Sequence, residues 1–127
     1  GMIEWILAGV IGAAQPRQDP ADLTTLKTCV AHMLVVETAV EEGHWASIPG
    51  AQPPRPGSRF RLTGMILLLD ALAKAAEREG VDVASLAPEV EAAAQQIPPA
   101  QSAEDVAMAL KREGDCFRML GVEEPED

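Results

Sequence analysis

The sequence predicts an all-α protein: a four- or five-helix bundle, mostly antiparallel, with a long Pro-rich loop between its second and third helices. Three observations carry that reading. Apolar residues recur at spacings of three and four along nearly the whole chain. Hydrophobic residues make up 47% of the sequence but aromatics only 3%, so the core must be built from Leu, Val, Ile, Met and Ala, which favours closely packed helices. Most prolines fall between the periodic stretches, and Gly43 and Gly80 stand at their ends. At 127 residues the chain is the size of one domain, assigned here to residues 1–127.

Gly1 ahead of Met2 reads as an expression scar. The first segment, Ile3 to Ala14, also suits a strand through Ile6, Val10 and Ile11, but helix is preferred. As a helix it places Ile3, Ile6, Leu7, Val10 and Ala14 on one face and leaves Trp5 and Ile11 off it. It therefore needs cover on more than one side. It is shorter than the ~20 residues of a membrane span, and it carries Glu4 without a basic stretch before it.

The second segment can begin with Asp19 as N-cap and Pro20 in the first turn, continue through Leu23, Leu26, Val30, Met33, Leu34 and Val40, and stop at Gly43. Residues 44–57 form the Pro-rich loop, a stiff connection too long for an ordinary bundle turn, with Trp45 as its natural anchor. Its PPRP run would also suit a polyproline ligand. The third segment starts at Ser58 and carries Leu62, Met65, Ile66, Leu69, Leu72, Ala73 and Ala76 before Gly80. Its MILLLDAL centre is apolar almost all round, which predicts the central helix.

A fourth helix is expected from Ser85 through Leu86, Val90 and Ile97 to the Pro98–Pro99 stop. A fifth begins at Ser102 with Asp105 in capping-box positions and continues through Val106, Leu110, Phe117 and Leu120, with Gly114 expected to bend or split it. Residues 122–127 form an acidic tail.

The formal charge of −10 disfavours nucleic acid and anionic membrane surfaces as partners, because both require a basic face. Cys29 and Cys116 lie far apart among apolar neighbours without a CxxC or Cys/His cluster. Buried free thiols are expected; a disulfide between the two helices is not favoured in a chain so sparse in cysteine. Glu37, Glu41 and His44 share a helical face, and Glu41-x-x-His44 has the spacing of a carboxylate-bundle metal pair. No second such pair occurs, so no metal is expected, and no cofactor either. Nucleophile and phosphate-loop motifs are absent.

Asp70 interrupts the most apolar stretch and must find a donor or solvent. Lys74, one turn on, is the simple partner; a buried polar pair with His32 between the second and third helices is the sharper one. Acids at Glu41 and Glu42 end one helix and arginines at Arg59 and Arg61 begin the next, both against the helix dipole. An antiparallel hairpin would bring these charges face to face. The same end could instead hold an anion or acidic peptide with His44, Trp45, Arg55, Arg59 and Arg61.

Taken together, the sequence reads as a cytoplasmic, non-catalytic interaction or regulatory module. It is expected to form a homodimer and to meet a further protein partner whose identity is not encoded legibly. The alternative is a small-molecule or anion-binding protein, enzymatic or not, with its site at the hairpin end.

Overall fold

A computed structural model describes residues 20–124, which are all-helical, with no strand among the described residues. Four α-helices follow one another: α1 (Leu23–Glu41), α2 (Arg59–Arg78), α3 (Leu86–Gln95) and α4 (Ala103–Met119). Short 3₁₀ turns at His44–Ser47 and Val83–Ser85 precede α2 and α3. The segment expected to be helical over Ile3–Ala14 lies outside the described residues, as do Asp19 and the tail residues Glu126 and Asp127.

α1 starts at Asp22, not at Asp19. The Asp22 carboxylate accepts a 2.8 Å hydrogen bond from the Thr25 N–H, satisfying one of the four orphan donors of the first turn. That bond holds the Asp22 carboxyl below its usual range. Ser58 and Ser102 cap α2 and α4 in the same way, accepting from Arg61 and Asp105 at 3.3 and 3.1 Å. At α3 the expected cap fails: the Ser85 hydroxyl makes no capping bond, and Asp82 accepts from the Ala84 N–H at the preceding turn.

The central helix is α1. It packs against α2, α3 and α4, burying Leu26, Val30, Ala31, Met33 and Val36. α2, the expected centre, packs on α1 and α4 and leaves Leu62, Ile66, Leu67 and Leu69 exposed. The reason lies in side-chain size. α1 interleaves Cys29, Ala31 and Ala39 with its larger residues, so neighbours can approach it closely on several sides. α1 is also long and apolar enough to cross a membrane, but that apolar surface is what its neighbours cover.

Gly64 fixes the spacing of α2 and α4. A Cβ there would overlap the Phe117 ring, which is wholly buried and meets Phe60 edge-to-face at 5.5 Å. α4 runs unbroken through Gly114, contrary to the expected bend. There a Cβ would stand 2.9 Å from the Arg118 guanidinium, so the glycine makes room for a side chain, not a kink.

The thiols are not free. Cys29 on α1 and Cys116 on α4 form a disulfide, with Cα atoms 5.8 Å apart across 87 residues of sequence. The α1–α4 packing brings the two positions together, a proximity that sequence spacing does not reveal.

Candidate functional site

The hairpin-end residues belong to two separate grooves, with no lining residue in common. His44 and Trp45 line a groove of about 820 Å³ between α1 and α3. Arg55, Arg59 and Arg61 line another, of about 780 Å³, between the start of α2 and the second half of α4.

The first groove is built on Trp45. Gly43, at φ 68°, turns the chain back beyond α1, a conformation costly for other residues. The following 3₁₀ turn carries the indole inward, where it is buried with Val36, Ala39 and Val106. His44 points the other way: its Nε2 lies 2.7 Å from Glu42 Oε2 at the exposed rim. The walls are mainly apolar, from Leu34, Val35, Ala94 and Ile97, while Thr38, Glu91 and Gln95 supply polar atoms.

The second groove is floored by a buried ion cluster. Arg61, only 9% exposed, donates from Nε to Glu113 Oε1 at 2.8 Å and from Nη2 to Glu113 Oε2 at 2.9 Å. Its Nη1 donates to Glu37 Oε1 at 3.0 Å. This fork-to-fork geometry is the strongest arrangement open to an arginine and a carboxylate. It also corrects the expected charge match. Arg61 does not face Glu41 and Glu42 but Glu37, one turn deeper along α1, and Glu113 on α4; Glu42 turns to His44.

Burial raises the Glu113 carboxyl above the usual range, and Arg61 offsets part of that rise. The same pairing raises Arg61, which stays charged throughout the pH range of folding. With its donors satisfied, Arg61 is a structural element of the groove. Arg55 and Arg59 are exposed on its wall, joined by Lys111 and Arg118 from α4. Arg118 is already engaged with Asp115 at 2.9 Å and Glu124 at 3.4 Å, and Lys111 with Asp115 at 3.0 Å.

His32 and Asp70 do not meet. Asp70 pairs with Lys74 at 2.9 Å on the exposed side of α2, the simple partner offered by one helical turn. His32 lines a small cavity with Asp105 and Arg112, where burial and, secondarily, the Arg112 charge lower its pKa from 6.5. The Glu37–Glu41–His44 set is dispersed too, since Glu37 is held by Arg61 and His44 by Glu42. Among the described residues, no three His, Cys, Asp or Glu side chains gather as metal ligands would.

Sequence reasoning missed Glu113, because KREGD reads as a solvated helix face. Only its position four residues before Phe117, on the buried stripe, signals otherwise. Comparison with known proteins yields no matching family model, curated protein or solved structure.

Proposed function

We propose that the protein is a non-catalytic interaction module that self-associates through the apolar surface of α2, its four helices forming a mostly antiparallel bundle. The observation that carries this reading is the outward side of α2. Leu62, Ile66 and Leu69 recur at spacings of four and three and stand 49%, 67% and 49% exposed, with Leu67 beside them. An aligned apolar stripe on a chain of charge −10 is a recognition surface, unlike scattered single leucines. The most elaborate polar cluster in the described residues, Arg61 with Glu37 and Glu113, is internally satisfied and holds the fold together instead of offering a reactive group.

The Cys29–Cys116 disulfide speaks for an oxidising environment in place of the cytoplasm expected from the sequence. Sedimentation velocity at tens of micromolar tests the self-association. A dimer that Ile66→Glu converts to monomer, with unchanged helical content, is the expected result; a wild-type monomer at that concentration would sink the reading.

A second reading is favoured by the groove flanked by Arg55 and Arg59 around the start of α2 and by Lys111 and Arg118 of α4, a cationic cluster on an acidic protein in which Arg55 and Arg59 are the arginines not engaged by Asp115 or Glu124. It would take a carboxylate or phosphate ligand. Calorimetric titration with inorganic phosphate and citrate, repeated on Arg55→Ala/Arg59→Ala, separates a site from a solvated surface: binding that survives the double substitution rules the groove out.

A further inference from the structure

The groove between α1 and α3 is the electrostatic opposite of the arginine groove, although the two have similar volumes. No lysine or arginine is among its described lining residues; its charged groups are Glu42 and Glu91, with the His44 imidazole beside Glu42. We infer that this groove binds an organic cation, a protonated amine that carries an apolar body. The site is independent of self-association through α2.

Charge selects the sign of the ligand. α1 ends at Glu41 and α3 at Gln95, and Thr38 and Glu42 from the first end and Ala94 and Gln95 from the second line the groove. Both helices therefore bring the negative end of their dipole to one place. Neither has a basic residue in its last turn. Glu42 and Glu91 add formal charge of the same sign. Glu42 is engaged by His44 at 2.7 Å. On α3, Glu89 is held by Lys27 at 3.0 Å, but Glu91 forms no ion pair among the described residues. An ammonium group supplies three donors and the positive charge that these helix ends lack. A carboxylate would be repelled by each of them.

The walls select the rest of the ligand. Leu34, Val35, Ala94 and Ile97 present half-buried apolar surface. At about 820 Å³ the space falls within the roughly 300–1,000 Å³ of small-molecule sites, which are mainly apolar with a few polar groups. One wall is fixed by Trp45, which is 3% exposed and buried with Val36, Ala39 and Val106. A small hydrated cation gains nothing from such walls, so charge and apolar body must belong to one molecule.

The test is calorimetric titration of the full-length protein with octylammonium, octanoate and methylammonium. Octylammonium should bind saturably. Octanoate, with the same tail and the opposite charge, and methylammonium, with the charge and no tail, should each be weaker by about tenfold or more. Glu42→Gln/Glu91→Gln should narrow the gap between octylammonium and octanoate. Thr38 is exposed on the groove wall, so Thr38→Phe should block the site while leaving helical content and melting temperature unchanged. Ile66→Ser, on the outward side of α2, should leave binding intact and so separates this groove from the other apolar surface. Octanoate or methylammonium binding as tightly as octylammonium, undiminished binding to a folded Thr38→Phe variant, or no saturable heat up to about 10 mM octylammonium would each overturn the inference. So would loss of binding in Ile66→Ser.

Discussion

The two sides of α2 invert the usual distribution of charge and oil. On its inner side Arg61 is buried against Glu113, itself 2% exposed, while five residues along the same helix Ile66 stands 67% in solvent. The difference shows that burial is decided by what neighbours supply. α4 brings Glu113 with two correctly placed oxygens and α1 brings Glu37, so the guanidinium can leave water without losing hydrogen bonds. No described element covers the outer side, and its hydrophobicity alone does not pull it inward.

If that account holds, changes on the inner side should unfold the protein. The largest effect is expected for Glu113→Ala, which leaves Arg61 charged, buried and half-satisfied. Breaking one partner of a buried pair costs about 3–5 kcal/mol, read by urea denaturation. The double change Arg61→Met/Glu113→Leu should recover most of that loss, because it removes the desolvated charges together. A double variant as unstable as the single would mean that the cluster contributes more than charge pairing.

Next in size is the disulfide that joins α1 to α4. Reduction, or Cys29→Ala/Cys116→Ala, should cost about 2–4 kcal/mol by releasing the 87-residue separation in the unfolded chain. Equal melting temperatures with and without a phosphine reductant would show that the α1–α4 contact does not need the link.

Much of the architecture was readable because it is local. Ser58, Ser102 and Gly80 announce helix ends within one turn of themselves. What was not readable depends on pairs distant in sequence. Arg61 and Glu113 are 52 residues apart, and Cys29 and Cys116 are 87 apart. Neither Glu113 nor Cys116 carries a local mark of its partner. The residues expected together at the hairpin end are divided between two grooves for a related reason. His44, Trp45 and the arginines are neighbours along the chain, but the 3₁₀ turn after Gly43 sends the indole toward α1 while Arg61 descends between α1 and α4. The central helix was misassigned because hydropathy counts apolar side chains, whereas packing around α1 depends on where the small ones lie.

Gly64→Ala probes the same seam without touching charge. The added methyl group overlaps Phe117, and the ring is fixed by Phe60, so α2 and α4 must separate. Overpacking of this kind costs about 1–3 kcal/mol. The loss should shrink when Phe117→Leu is introduced alongside, since the smaller side chain yields the space; losses that simply add would place the strain elsewhere.

The smallest effect belongs to His32, which lies between the two extremes, half-buried beside Arg112 and Asp105. Its pKa is lowered from 6.5, chiefly by burial and then by Arg112. Above pH 6.5 the imidazole is neutral in the folded and unfolded chains alike, and its contribution to stability is complete. As the pH falls below 6.5 the unfolded chain takes up a proton that the folded chain resists, so stability declines until the lowered pKa is passed. His32→Gln should flatten that part of the stability–pH curve, measured in a His44→Gln background so that no other imidazole titrates. Arg112→Gln should flatten it only in part, because burial remains the larger cause. Identical pH slopes in all three proteins would place His32 with the exposed side of the comparison, as a side chain whose proton the fold does not sense.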